Sequence, residues 1–287
     1  MTPSAAETGL ADAVLASPSA KYSNEQPVRE SHDKKTPDAT ATLAVDEPQL
    51  PVEEIPPDEP AAAEKPAKDM PSPALSPMGD DRVETIQHMA WPALQQAVEH
   101  CPACNLCKTR TKTVFGVGDQ DADWLFVGEA PGAEEDRKGE PFVGQAGKLL
   151  DNMLAAIGLK RGDNVYIANV LKCRPPDNRD PHGEEVMQCD PYLKRQVDLI
   201  QPKLIVALGK FAAQSLLNSK SSIGAMRGTL HDYNGVPVIV TYHPAYLLRS
   251  PAEKAKAWED LCYARDTMQS LQAGLQSAGA APSKHKP

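Results

Sequence analysis

Four short apolar runs, each leading to a small or polar residue, set the frame for the middle of this chain. Trp124 to Val127 stops at Gly128, Leu204 to Leu208 stops at Gly209, Val238 to Thr241 leads to His243, and Val165 to Leu171 carries Asn169. Each has the length of a buried strand. Helical periodicity fills the gaps between them. Ala146, Leu149, Leu150, Met153, Leu154 and Ile157 recur at spacings of three and four before Gly158, a stop signal. Val186, Tyr192, Leu193, Val197 and Ile200 predict a second helix, Phe211 to Leu217 a third, and Ala252 to Leu271 a last one. Strands separated by helices imply an α/β fold, a three-layer α/β/α sandwich with a mostly parallel central sheet. Its ligand site belongs at the carboxyl ends of the strands, at Gly128-Glu129, Asn169, Gly209 and His243.

The ends of the chain have a different composition. Residues 1–88 hold seven Lys or Arg against 17 Asp or Glu, a net charge of −10, whereas residues 89–287 are close to neutral at +1. The first stretch is rich in Pro, Ala and acidic residues and nearly free of aromatics, so it is expected to be a disordered arm. It reads first as an untethered terminal extension, and otherwise as a spacer or a docking segment for an unknown protein partner. The catalytic unit is expected over 89–272, and 273–287 reads as a flexible tail. Leu10 to Ala16 is interrupted by Asp12 and lacks a basic flank, so it fails as a signal peptide. No run of roughly 18 apolar residues exists for a membrane span. A cytoplasmic protein, monomeric and without membrane contact, is expected. The low overall pI does not exclude nucleic acid, because phosphate contacts depend on the local field.

Six cysteines are present: Cys101, Cys104, Cys107, Cys173, Cys189 and Cys262. In a cytosolic chain such patterns point to metal ligation or catalysis before disulfides. Cys101-Pro-Ala-Cys104 has the gap that lets two thiolates reach one centre. Cys173 and Cys189 follow a strand and precede a helix, and four thiolates suit zinc or an iron-sulfur cluster equally.

Several ordered motifs carry a resemblance. Cys101-Pro-Ala-Cys104-Asn105-Leu106, Thr109-Arg110-Thr111, Val114-Phe115-Gly116 and Gly128-Glu129-Ala130-Pro131-Gly132 with Glu135-Asp136 come first. Pro141-Phe142-Val143-Gly144 with Ala146-Gly147, Asn169-Val170 with Lys172-Cys173-Arg174-Pro175-Pro176, and His243-Pro244-Ala245 follow. In this order they resemble the family 4 (iron-sulfur) uracil-DNA glycosylases, with likeness to type 5, over about Cys101 to Cys262. The resemblance implies a [4Fe-4S] cluster on Cys101, Cys104, Cys173 and Cys189, structural in role, with Cys107 and Cys262 outside it.

It also implies a base-excision repair enzyme acting on uracil-containing DNA, single- or double-stranded. A stacked uracil must be flipped into a pocket that reads its edge. Asn169 can donate to uracil O4 and accept from N3-H, a pairing that cytosine mismatches. Phe142 suits stacking on the base. His243, beside backbone N-H groups from Gly128 to Ala130, suits the charge that develops on uracil O2. Glu129 is the candidate to position or activate water. Where the best-known uracil glycosylases carry an aspartate, this chain has Ala130, which leaves the general base open: Glu129 is favoured by position but equally suits shaping the pocket, and Glu135-Asp136 suit helix-start carboxylates.

DNA contacts are expected from Lys108, Arg110, Lys112, Arg174, Arg179, Arg227 and Arg249. Leu247, in the segment Tyr246-Leu247-Leu248-Arg249, is the expected wedge for the gap left by the flipped base, although the two leucines read equally as the core face of a short helix. Two other functions are weighed. A relative that becomes covalently attached to uracil-DNA does so through a loop histidine, and Asp136-Arg137-Lys138-Gly139-Glu140 contains none. A non-enzymatic cysteine-cluster module would use the acidic arm as its interaction segment.

Overall fold

The computed structural model describes residues 80–279. The arm that precedes them, with its acidic and proline-rich segments, lies outside the described residues. A six-stranded sheet forms the centre, built from β1 (Val117–Gly118), β2 (Trp124–Gly128), β3 (Val165–Asn169), β4 (Leu204–Leu208), β5 (His231–Tyr233) and β6 (Val236–Thr241). The spatial order is β1-β3-β2-β4-β6-β5. The four inner strands run parallel, and the two short edge strands are antiparallel. Strands β2, β3 and β4 are buried along their whole length, as a sheet covered on both faces requires.

Side-chain alternation divides each inner strand between two cores. One face gathers Leu125, Val127, Ile205, Ala207 and Val240 against helices α5 (Gly183–Ile200), α6 (Lys210–Leu216) and α7 (Ile223–Met226). The other gathers Trp124, Phe126, Leu204, Val206 and Ile239 against α4 (Gln145–Ala156), α8 (Pro244–Arg249) and α9 (Lys254–Gly279). The expected three-layer sandwich is therefore present. Among the described residues no helix is long and apolar enough to cross a membrane.

Two boundaries are corrected. The expected arm was to run to residue 88, but Asp80–Gln87 forms helix α1, with Ile86 buried against Leu94, Val98, Phe115 and Tyr192. Leu94 and Val98 come from α2 (Trp91–Glu99), whose Pro92 sits in the first turn where a missing N-H is harmless. At the other end α9 continues past the expected stop near Leu271, carried by residues such as Gln272 and Ala273 that favour helix. A short helix α3 (Ala133–Lys138) fills the turn after β2.

Candidate active site

Parallel register brings the strand ends together. Gly128 lies opposite Asn169, and Leu208 lies opposite Thr241, two residues before His243. A cavity of about 720 Å³ opens there, with Glu129, Phe142, Asn169, Gly209 and His243 in its walls. The buried Gly128 lies against two of these walls: a Cβ at this position would lie 2.4 Å from Asn169 Oδ1 and 2.6 Å from Phe142 Cζ. Only glycine lets the carboxamide and the ring approach each other so closely.

Asn169 is 2% exposed, and its Oδ1 is buried without a protein hydrogen-bond partner. A buried acceptor left this way costs about 1–3 kcal/mol, so it is ready for a donor on a bound molecule. The backbone around it is fixed. Val170 N donates to Gly128 O at 2.9 Å and Leu171 N to Glu129 O at 3.0 Å. The fully buried Lys172 donates through Nζ to Asn169 O at 2.8 Å and to Gln196 Oε1 at 2.6 Å. Gln196 in turn donates to Phe115 O at 3.0 Å. Burial pushes the Lys172 ammonium down to about 8, and the nearby Cys189 and Cys173 thiols oppose that.

Phe142 is held in an unusual backbone conformation, with φ at 54°. For a bulky side chain this costs of order 1–3 kcal/mol and needs support from outside. Arg161 supplies it by donating to Pro141 O and Phe142 O, both at 2.9 Å. Glu135 accepts from Val143 N at 2.8 Å and Gly144 N at 3.1 Å, which also anchors the start of α4. Gly147 completes the cradle, since a Cβ there would lie 1.7 Å from Phe142 O. The Phe142 ring then faces the imidazole of His243, with centroids 5.5 Å apart.

His243 is the N-cap of α8. Its Nδ1 accepts from Ala245 N at 3.1 Å, so in the neutral ring the proton resides on Nε2. Burial, helped by Arg249 and opposed by Glu135, pushes the group down to about 4. The cap fixes the tautomer that leaves Nε2-H free to donate. Across the cavity, burial and then the Asp180 carboxylate push Glu129 up to about 7, partly offset by Lys210. A carboxyl group poised there exchanges protons readily near neutral pH.

A second cavity lies behind the first, and Cys101, Cys104, Cys173 and Cys189 all line it. Cys101 and Cys104 follow α2, Cys173 follows β3, and Cys189 projects from α5. Burial pushes Cys173 up to about 11 and Cys189 up to about 12, so these thiols need a cationic group to lose their protons. Arg110 Nη1 donates to Cys173 Sγ at 3.2 Å, Lys172 N to Cys189 Sγ at 3.3 Å, and Ala103 N to Cys101 Sγ at 3.5 Å. Arg82, from α1, donates to Gln188 O at 3.0 Å, approaches Cys101 Sγ at 3.9 Å and lies over the Tyr192 ring. Among the described residues no three His, Cys, Asp or Glu groups form a site for a single metal ion. Four thiols spread around a shared space, with N-H groups and cations turned toward sulfur, fit a larger thiolate-bound cluster. Cys107 does not line this space, and Cys262 lies within α9. Ala130 packs between the two cavities, lining the first and touching the cysteine group.

Several expected DNA contacts are corrected. Arg110 also donates to Cys101 O at 2.9 Å and Glu99 O at 3.0 Å, so its guanidinium faces inward. Leu247 is 1% exposed and packs in the core under α8, which removes it as the wedge; Leu248 beside it is 44% exposed. Arg227 is tied to the buried Asp260. Arg179 pairs with Glu185, and Arg174 donates to Asn178 at 2.8 Å. Arg249 remains exposed in the cavity wall. Sequence reasoning missed Lys172 and Arg161 as supports. The first was inside a quoted motif, whereas the second lies in a polar turn that no periodicity marks.

Comparison with known proteins supplies an independent view. A family model described as the uracil DNA glycosylase superfamily matches residues 115–262. The type-4 uracil-DNA glycosylase of Archaeoglobus fulgidus is 54% identical over 159 residues, which cover 53% of this chain and 79% of that protein. The type-4 enzyme of Thermotoga maritima is 46% identical over 57% of this chain and 85% of its own length. A type-5 uracil-DNA glycosylase of Pyrobaculum aerophilum is 34% identical over 45% of this chain and 64% of its own.

Proposed function

The chain belongs to the uracil-DNA glycosylase superfamily, and on that premise we propose that it excises uracil from DNA with Asn169 as the base reader and His243 as the transition-state donor. It is a uracil-DNA glycosylase, a hydrolase that flips uracil out of DNA and cuts its N-glycosidic bond to leave an abasic site. The observation that carries the residue assignment is the unpartnered, buried Oδ1 of Asn169 beside Gly128. That oxygen accepts from uracil N3-H while the amide nitrogen donates to O4. Cytosine offers a bare N3 and an amino group in those places, so both bonds fail. Phe142 stacks on the flipped base.

The bond between N1 of the base and C1′ of the sugar then breaks, and its electron pair goes to the departing uracil, with charge collecting on O2. The Nε2-H of neutral His243 donates to O2, assisted by backbone N-H groups of the Gly128-to-Ala130 turn. Water forms the new bond to C1′, and Glu129 orients it and takes its proton. The raised affinity of Glu129 for a proton supports that part. Cys101, Cys104, Cys173 and Cys189 would hold a [4Fe-4S] cluster. That group, when bound, supplies a rigid tie between the loop after α2, the loop after β3 and helix α5, and no electrons for the cleavage.

Arg249, exposed in the cavity wall, and the exposed Lys108 and Lys112 are left for phosphate contact. This reading places the protein in the cytoplasm, a reducing compartment in which cysteine thiols stay available as ligands. The same reading takes the protein as a monomer, with the acidic arm as the surface for a protein partner. Release of free uracil from a labelled strand tests the function: a non-enzymatic binder releases none, and a covalently trapped relative stays attached to the DNA.

A further inference from the structure

We propose that Tyr242 and Tyr246 form a stacking subsite for the nucleobase next to the excised uracil on the same strand. This rests on the uracil-DNA glycosylase reading and adds a second recognition element to it. The two rings are stacked, with centroids 5.2 Å apart and planes at 25°, and both line the rim of the active-site cavity. The stack is built from the inside outward. Asp260, buried in α9, accepts from Arg227 Nε at 2.6 Å and from Nη2 at 2.9 Å. The Arg227 guanidinium in turn lies 4.7 Å from the centre of the Tyr242 ring. Tyr242 is thus held between a cation and Tyr246.

Tyr246 ends the series and remains 37% exposed. An aromatic ring with one side packed and the rest open to solvent, fixed beside a base-binding pocket, is already ordered for stacking and loses little freedom on binding. Its position suits an adjacent nucleotide. Tyr246 follows the capping His243 by three residues on α8, about 4.5 Å along the helix axis. Tyr242 directly precedes His243. With Leu247 buried, this pair is the aromatic surface that the segment offers to DNA. Stacking on an aromatic side chain tolerates every base, because each has a π-face. In single-stranded DNA the neighbouring base is free to use the site, while in a duplex it is engaged with its own partner strand.

The test is a cycle that combines substrate and protein changes. Single-stranded oligonucleotides carry uracil flanked by a normal base or by a base-less sugar on either side. Wild type, Tyr246→Phe, Tyr246→Leu and Tyr246→Ala are compared by KM and kcat for uracil release, with a duplex as reference. Removing the base on one side is expected to raise KM about tenfold for wild type and Tyr246→Phe. It is expected to leave Tyr246→Leu and Tyr246→Ala unchanged, with kcat little altered throughout. Wild type that ignores flanking bases on both sides, or Tyr246→Ala that suffers the same penalty as wild type, overturns the subsite. Absence of uracil release by wild type from every substrate would instead overturn the underlying activity.

Discussion

The ammonium of Lys172 donates to the main-chain carbonyl of Asn169 at 2.8 Å, from a fully buried position beside the cysteine group. It ties the strand end that carries Asn169 to the wall that holds the thiols. Lys172→Met leaves Asn169 O and Gln196 Oε1 without their donor, at about 1–3 kcal/mol for each group. We expect a lower unfolding midpoint and about a tenfold loss in kcat/KM on uracil. Denaturant melts and steady-state kinetics measure both, and kcat/KM equal to wild type would show that this tie does not position Asn169.

Asn169→Asp replaces the donor on the reading edge with a second acceptor. Uracil O4 then faces an acceptor, whereas the cytosine amino group gains one. Release from uracil strands should fall by at least about 10²-fold, and slow release of cytosine should emerge. Paired assays on strands that differ at this one base decide it, and undiminished, uracil-only release would place the reading elsewhere.

Glu129 and His243 predict the pH dependence. Glu129, raised to about 7, is neutral below that value and able to take a proton only above it, so kcat/KM should rise between about pH 6 and 8 and then level. His243, lowered to about 4, stays neutral over the same range and adds no inflection near its ordinary value of about 6.5. Glu129→Gln should be slower and lose the rise. A wild-type rate with an unchanged profile would make this carboxylate a structural group.

The cysteine arrangement separates two sets of variants. Cys101→Ala and Cys173→Ala should lose visible absorption and bound iron, while Cys107→Ala and Cys262→Ala keep both. A chain starting at Met89 lacks Arg82 and Ile86 of α1, which pack beside Cys101 and Tyr192. It is expected to bleach faster in air than the full chain. Equal bleaching would show that α1 does not shield the site, and zinc in anaerobically purified protein would contradict the cluster itself.

The inner strands and their ends could be read from the chain because each is an unbroken apolar run, and full burial on two faces leaves no room for polar residues. The edge strands Val117–Gly118 and His231–Tyr233 escaped because two or three residues are too few to show alternation. Helix α1 escaped because its buried surface rests mainly on Ile86 within a polar stretch. Leu247 and Leu248 were ambiguous by pattern, since adjacent helical residues point about 100° apart and only the phase set by the His243 cap decides which is buried. Arg110 read as surface charge because nothing in its neighbours reveals that the loop folds back over the cysteines.

Single-turnover release of free uracil from a single-stranded oligonucleotide, by wild type and by His243→Ala, tests the account most directly. Wild type should release uracil and leave an abasic site. His243→Ala, which removes the Nε2-H aimed at developing charge, should be slower by about 10²- to 10³-fold with DNA affinity little changed. Wild type that binds the strand and releases no uracil, or His243→Ala that loses binding while its single-turnover rate stays intact, would contradict it.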